Sequence, residues 1–234
     1  MIMFENRTIP DQLSPFMRYL AERASGGARL PSLADISQEL QVSTASLREQ
    51  LEVARALGVV EVKPKTGIRC KPYSFEPAVL LSLSYALSVS PDYFEAFSDL
   101  RNHIEASFWY QAVHQLTRED QDELMVLIER AEEKLTAPNV QIPHGEHRAL
   151  HMTIYRRLDN AFVAGLLEAY WDMYEAVGLA LFTDFSYLQT VWRYHRKMVE
   201  GICSGDLNAG YQALVDHVDL IHQRPRLVSR QRFE

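Results

Sequence analysis

The sequence has little of what would place a protein outside the cell or in a bilayer. It holds two cysteines in 234 residues, Cys70 and Cys203, too few for a disulfide framework, so a reducing cytoplasm is the expected location. The N-terminal stretch MIMFENRTIPDQL has no basic segment followed by an apolar one, so no signal peptide is expected. The longest apolar run, AVLLSLSYALSV at 78–89, is too short to span a hydrocarbon core and carries serines, so no membrane partner is expected. A phosphate-binding GxxxxGK[ST], a dinucleotide-binding GxGxxG and a Ser/His/Asp nucleophile motif are all missing. No internal repeat or low-complexity segment is visible. The remainder is ordinary: 47% apolar and 24% charged residues, the composition of a globular chain able to bury one large core or two smaller ones.

A net charge of −7 argues at first against a nucleic-acid partner. Division of the chain at residue 72 reverses that for one part. Residues 1–72 carry 10 Lys and Arg against 8 Asp and Glu, whereas 73–234 carry 14 against 23. A mildly basic module joined to an acidic one suggests two jobs.

Residues 1–72 resolve into four short elements. TIPDQLSPFMRYLAERAS places Leu13, Phe16, Met17, Leu20 and Ala21 at helical spacing after Thr8, with Asp11 three residues on. SLADISQEL follows, where Ser32 can cap, Asp35 can answer, and Leu33, Ile36 and Leu40 point inward. After the short link QV, Ser43 can cap a third helix, STASLREQLEVARAL, that stops at Gly58. VVEVKPKTGIRC then reads as a hairpin. Helix, helix, tight turn, helix, hairpin is the order of a winged helix-turn-helix, in which the third helix enters the major groove. The outward positions Thr44, Ala45, Ser46 and Arg48 suit close approach to base edges. Arg48 can fork onto a guanine, worth about 1–3 kcal/mol of discrimination. Lys63, Lys65 and Arg69 around the hairpin tip would contact phosphates, with Ser43, Thr66 and Gly67 completing the candidate DNA-binding set. The alternative is a small helical domain with a solvated arginine and a basic hairpin.

The stretch from Ala28 to Cys70 resembles the DNA-binding domain of the GntR family of bacterial regulators. Leu30, Pro31, Ser32, Val42, Ser43, Arg48, Leu51 and the hairpin glycine Gly67 sit where that pattern expects them. Two positions depart from it: Ala34 and Thr44 stand where the family usually has arginines that touch DNA. The resemblance implies a dimer bound to a palindromic double-stranded DNA operator; the departures leave open a ligand-binding protein that has lost DNA binding.

Beyond residue 72 no convincing strand appears. YSFEPA, 73–78, reads as a linker. Helices are expected at 76–90, 92–116, 119–135, 144–158, 160–182, 185–203 and 206–223, broken at Pro91, TAPNVQIP, Asp159–Asn160, Thr183–Asp184 and Ser204–Gly205. The expected fold is therefore mainly α: a winged helix-turn-helix over 1–72, an all-α bundle of about seven helices over 79–223, and a basic tail over 224–234.

Four of the eight histidines project from otherwise apolar helix faces. His147 and His151, in HRALH, share a face with Leu150, Ile154 and Leu158. His195 lies with Val191, Trp192, Met198, Val199 and Ile202, and His217 with Ala213, Leu214, Val218 and Ile221. An imidazole buried without a partner is costly. Either each is a hydrogen-bonded core residue, or a shared divalent ion satisfies all four. His103, His114, His144 and His222 read as surface or structural. A zinc peptidase needs glutamate directly after the first histidine, where Arg148 stands. A helical metalloenzyme acting on a small acid would have Glu146 as its nearby base.

This region resembles the all-helical FCD-type effector domain of the FadR-like branch of the same family. Metal-binding members present an aspartate, a histidine four later, and two histidines 22 residues apart on the last two helices. His151 matches the first histidine, and His195 and His217 the later pair. Asn160 matches an asparagine nine residues after His151. The aspartate position is His147 here, and Glu146 lies about 100° round the helix from it. Either His147 ligates or three histidines and water hold the ion, and both sets favour Zn²⁺ or Ni²⁺ over Mg²⁺ or Ca²⁺. The resemblance also implies a small organic acid as effector, with Arg101 and Asn160 as candidate effector-binding residues. The competing account of Arg101 is a surface i,i+4 pair with Glu105, worth about 0.3–0.5 kcal/mol.

Overall fold

A computed structural model describes residues 12–23, 29–64, 67–176 and 185–222, the side chains of 218–222 excepted. Thr8, Asp11, Lys65, Thr66, the break Thr183–Asp184 and the tail 224–234 lie outside the described residues, as do the side chains of Val218 and Ile221. Among the described residues the chain forms ten helices and one two-stranded sheet. It is mainly α, as the sequence predicts. The residues fall into two compact units, one reaching to Pro91 and taking in Ala164–Ala169, the other holding Asp92–Val163 and the residues from Tyr170 onward.

The first unit opens with α1, Pro15–Glu22. Sequence periodicity places Leu13 on this helix, facing inward, but Leu13 precedes it and is 37% exposed. The cause is Pro15: it lacks an N–H and forces the residue before it to be extended. Ser14 is therefore extended, and its hydroxyl accepts the Met17 N–H as the cap. α2, Leu33–Leu40, starts with the expected reciprocal cap between Ser32 and Asp35. Gln41, left-handed at φ 54, turns the chain sharply into α3, Thr44–Ala56, which Ser43 caps by accepting from the Ser46 N–H.

Gly58, at φ 69, ends that turn and leads into β1, Val60–Lys63, paired antiparallel with β2, Gly67–Cys70. The register sets Val60 opposite Cys70 and Lys63 opposite Gly67. Arg29 bridges to Arg69 at the free edge, and the Leu30 N–H donates to the Ile68 carbonyl at 2.9 Å. Phe16, Ile36, Leu47 and Ala54 are fully buried beneath the three helices and the hairpin. This is a winged helix-turn-helix. α4, Glu76–Val89, belongs to the same unit: a Cβ on Gly58 would fall 2.5 Å from Pro77 Cγ. Its first turn lies inside the segment that reads as a linker, because proline suits the start of a helix.

The second unit contains α5 (Tyr93–Val113), α6 (Arg118–Thr136), α7 (His144–Tyr155), α9 (Phe185–Ser204) and α10 (Leu207–His222), together with both ends of α8 (Ala161–Ala176). α6 begins with a second reciprocal cap, Thr117 with Asp120. α9 and α10 form a close antiparallel pair, and Gly201 and Gly210 are the reason. A Cβ on Gly201 would lie 2.6 Å from the Gly210 nitrogen, and one on Gly210 would lie 2.8 Å from the Trp109 ring. Among the described residues no helix is long and apolar enough to cross a membrane.

Candidate metal centre and nucleic-acid interface

Three helices of the second unit bring the four inward histidines together. α7 contributes His147 and His151, one turn apart on one face; α9 contributes His195 and α10 His217. One ring nitrogen from each lies within 4.8 Å of those of the other three. The His195 and His217 ring centroids are 4.4 Å apart, and those of His147 and His195 are 4.7 Å apart. His151 Nε2 faces His195 Nε2 at 3.2 Å. His151, His195 and His217 are buried and His147 is half-buried.

Aromatic rings wall the cluster. Trp171 lies 4.7 Å from His147, and Trp192 lies 4.8 Å from His195. Burial holds the His195 pKa well below the ordinary histidine value, and the neighbouring His217, His147 and His151 push it the same way. Burial also lowers that of His151, against the opposing pull of Glu105. Neutral imidazoles in a tight group are the protonation state that a metal ion requires. Among the described residues the buried His195 Nδ1 has no hydrogen-bond partner.

Beside the histidines lies an ionic group carried by α5. The i,i+4 pair of Arg101 and Glu105 forms, with Arg101 Nε 3.0 Å from Glu105 Oε1, but it is buried and not on the surface: Arg101 is 1% and Glu105 0% exposed. Arg101 also donates from Nη1 to Asn102 Oδ1 at 3.0 Å, and its guanidinium lies 4.8 Å and 5.0 Å from the Tyr170 and Trp171 ring centres. Its Nη2 is buried with no hydrogen-bond partner among the described residues. Glu105 in turn meets His151 Nδ1 at 3.1 Å from each carboxylate oxygen. Burial raises the Glu105 pKa, but Arg101 and His151 together outweigh it and hold the group below the ordinary carboxylate range.

Sequence reasoning passed over Glu105 as a site residue. A signal was present: Ser98, Arg101, Asn102, Glu105, Trp109 and Ala112 follow helical spacing and form the buried face of α5, so four polar residues sit on an inward stripe. The other expected residues are placed differently. Asn160 uses its carboxamide oxygen to start α8, accepting the Phe162 and Val163 N–H groups at 3.0 and 3.2 Å. Glu146 is held by Lys134 of α6 at 2.6 Å, and Arg148 by Asp172 of α8.

In the first unit, Thr44, Ala45 and Arg48 are exposed at the start of α3. Ser46 is half-buried rather than outward. Its hydroxyl accepts from Gln50 Nε2 at 3.0 Å, and Gln50 Oε1 accepts the Phe16 N–H at 3.0 Å, tying α3 to the first turn of α1. Lys63 and Arg69 are exposed on the hairpin, Lys63 paired with Glu61 at 2.8 Å. Gly67, at φ 74, would bring a Cβ to 3.6 Å from Arg29 Nε, which adds an exposed arginine to the hairpin that sequence reasoning did not select.

Residues 96–220 match the family model described as the FCD domain. Among solved structures the chain is similar to Streptococcus agalactiae GntR, at 17% identity over 89% of this chain and 95% of that one, with a TM-score of 0.65. It is also similar to E. coli McbR/YncC, at 17% identity over 90% and 99%, with a TM-score of 0.49. No curated protein sequence matches.

Proposed function

Since the chain belongs to the FCD domain family and has the fold of a GntR regulator, we propose that it is a transcriptional regulator whose hold on DNA responds to a small organic acid. Two copies read the halves of a palindromic operator. Heads on successive half-sites must sit about 34 Å apart or a multiple of it, so a modest rearrangement of a dimer suffices to release DNA. Arg48 reads a base edge, with Ser43 and Thr44 beside it at the start of α3. Lys63, Lys65, Thr66, Gly67, Arg69 and the neighbouring Arg29 steady the hairpin on the backbone.

His147, His151, His195 and His217 would hold a divalent transition metal, Zn²⁺ or Ni²⁺. The donor set fits: all-nitrogen ligation suits these ions and not Mg²⁺ or Ca²⁺, and among the described residues a buried His195 nitrogen has no hydrogen-bond partner. When bound, the ion supplies a Lewis-acidic centre for an effector carboxylate. Arg101 offers the same carboxylate its Nη2, which no described residue pairs and which is costly to leave unsatisfied when buried. Asn160 contributes by starting α8, which carries Trp171 against His147.

The observation that carries this reading is the convergence of four ring nitrogens within 4.8 Å inside the helical unit. Metal analysis of tag-free protein should find about one ion per chain, as the four ring nitrogens converge on a single point, and none after His195→Ala with His217→Ala. Selection of bound DNA from a random pool, with and without Zn²⁺, should return a palindrome whose recovery depends on the metal. Metal-free protein that recovers the same palindrome equally well would sink the reading.

A further inference from the structure

The proposed ion accounts for the four histidines but not for a carboxylate and a guanidinium buried next to them. Replacing such a pair with apolar side chains is often neutral or stabilising, so stability alone is a weak reason to keep it. We propose that Glu105 is a positioning residue that fixes the tautomer of His151 and thereby aims His151 Nε2 into the histidine cluster, with Arg101 as the counter-ion of Glu105. The inference rests on the ion-binding reading for its consequence, though not for its geometry.

Both carboxylate oxygens of Glu105 lie 3.1 Å from His151 Nδ1. The carboxylate is fully buried, and Arg101 Nε, at 3.0 Å, favours its ionised form. An ionised carboxylate only accepts hydrogen bonds, so Nδ1 must carry the proton. A neutral imidazole has a single N–H, which leaves Nε2 with a bare lone pair. That lone pair faces His195 Nε2 at 3.2 Å, in the middle of the cluster. Without Glu105, His151 would be free to take the other tautomer and present a proton to the ion.

The carboxylate is itself held in place. The Tyr155 hydroxyl of α7 donates to the Glu105 carbonyl at 2.8 Å, pinning that turn of α5 to the helix that carries His151. The Arg101 guanidinium lies against the Tyr170 and Trp171 rings, so the charge that balances Glu105 cannot swing away freely. Metal-ligating histidines usually donate their second N–H to a carboxylate or carbonyl, and removing that acceptor typically weakens metal binding by about 10- to 100-fold.

The test uses the full chain and two readouts. In metal-free protein, long-range ¹H–¹⁵N NMR of the histidine rings should show His151 protonated at Nδ1 and bare at Nε2. Co²⁺ titration against a competing chelator should then find Glu105→Gln weaker than wild type by about 10- to 100-fold, with Glu105→Asp closer to wild type because it keeps the charge. A wild-type His151 protonated at Nε2 overturns the proposal, and so does a folded Glu105→Gln protein with unchanged Co²⁺ affinity. If Glu105→Gln does not fold, the wild-type tautomer decides. If wild-type protein takes up no Co²⁺, the ion-binding reading falls while the ring NMR still tests what Glu105 does to His151.

Discussion

Arg48 is the side chain on which sequence-specific binding should turn. It is exposed one turn into α3, next to Thr44 and Ala45, which are too small to keep a base edge away. Arg48→Ala should lower affinity for the selected operator by about 1–3 kcal/mol and relax preference at one base pair per half-site. Circular dichroism and melting should be unchanged, since the side chain supports no core. Retained specificity would exclude Arg48 as a reader. The histidines were legible at this same scale, because four imidazoles on apolar stripes demand partners. Glu105 was less so: a glutamate four residues after an arginine suggests a surface pair, and only the full stripe from Ser98 to Ala112 reveals that α5 turns this face inward. The half-buried position of Ser46 was not legible, since it depends on Gln50 reaching both α3 and the start of α1.

Helices were foreseeable wherever a cap and a period agreed, as at Ser32 and Ser43, and misplaced where a proline interrupted a plausible period, as at Leu13. Contacts that join helices are harder to read, and two of them carry predictions. Asp120, the cap partner at the start of α6, is 1% exposed and accepts from Arg156 and Arg157 at the end of α7. The Arg157 hydrogen bond, helped by the Thr117 N–H and Arg156, outweighs burial and holds its carboxyl far below the usual range. A depressed carboxylate adds stability in full above its unfolded pKa, about 3.9, and that stability is lost as pH falls below this toward the folded value. Melting temperatures measured from pH 7 down to pH 2 should therefore fall more steeply below about pH 4 in wild type than in Asp120→Asn. The variant should already be weaker at pH 7 by about 1.5–3 kcal/mol, the range for hydrogen bonds to charged groups. Parallel acid limbs would disprove the clamp. The second contact is the α9–α10 crossing. In Gly201→Ala the new methyl meets Gly210 backbone at 2.6–2.8 Å, which cannot rotate aside, so the helices carrying His195 and His217 must separate. Overpacking of this kind costs about 1–3 kcal/mol, a fall in Tm of about 2–12 °C for a chain this size. Co²⁺ affinity should fall with it; an unaltered affinity would mean that the crossing does not set the spacing of the two rings.

For the whole molecule, the distribution of charge restricts how a regulator of this kind can work. Residues 73–234 carry 23 acidic against 14 basic side chains, while 1–72 carry 8 against 10. On the proposed reading the head holds the phosphate backbone, which the net-acidic helical portion repels. An ion held by the four histidines would then influence DNA binding not by touching DNA but through a difference in free energy between two arrangements of the protein. Such a coupling is reciprocal. If Zn²⁺ changes operator affinity by some factor, operator DNA must change Zn²⁺ affinity by the same factor, about 5- to 150-fold for a typical coupling of 1–3 kcal/mol. Four measurements close the cycle: operator binding with and without Zn²⁺, and Zn²⁺ binding with and without a saturating operator duplex. The two ratios should agree, and both should collapse to one in protein carrying His195→Ala and His217→Ala. A metal effect on DNA binding with no matching effect of DNA on the metal would show that Zn²⁺ acts outside the histidine cluster, for example by bridging chains or the duplex itself. Ratios of one in both directions would leave the four imidazoles as a structural centre, with no part in switching.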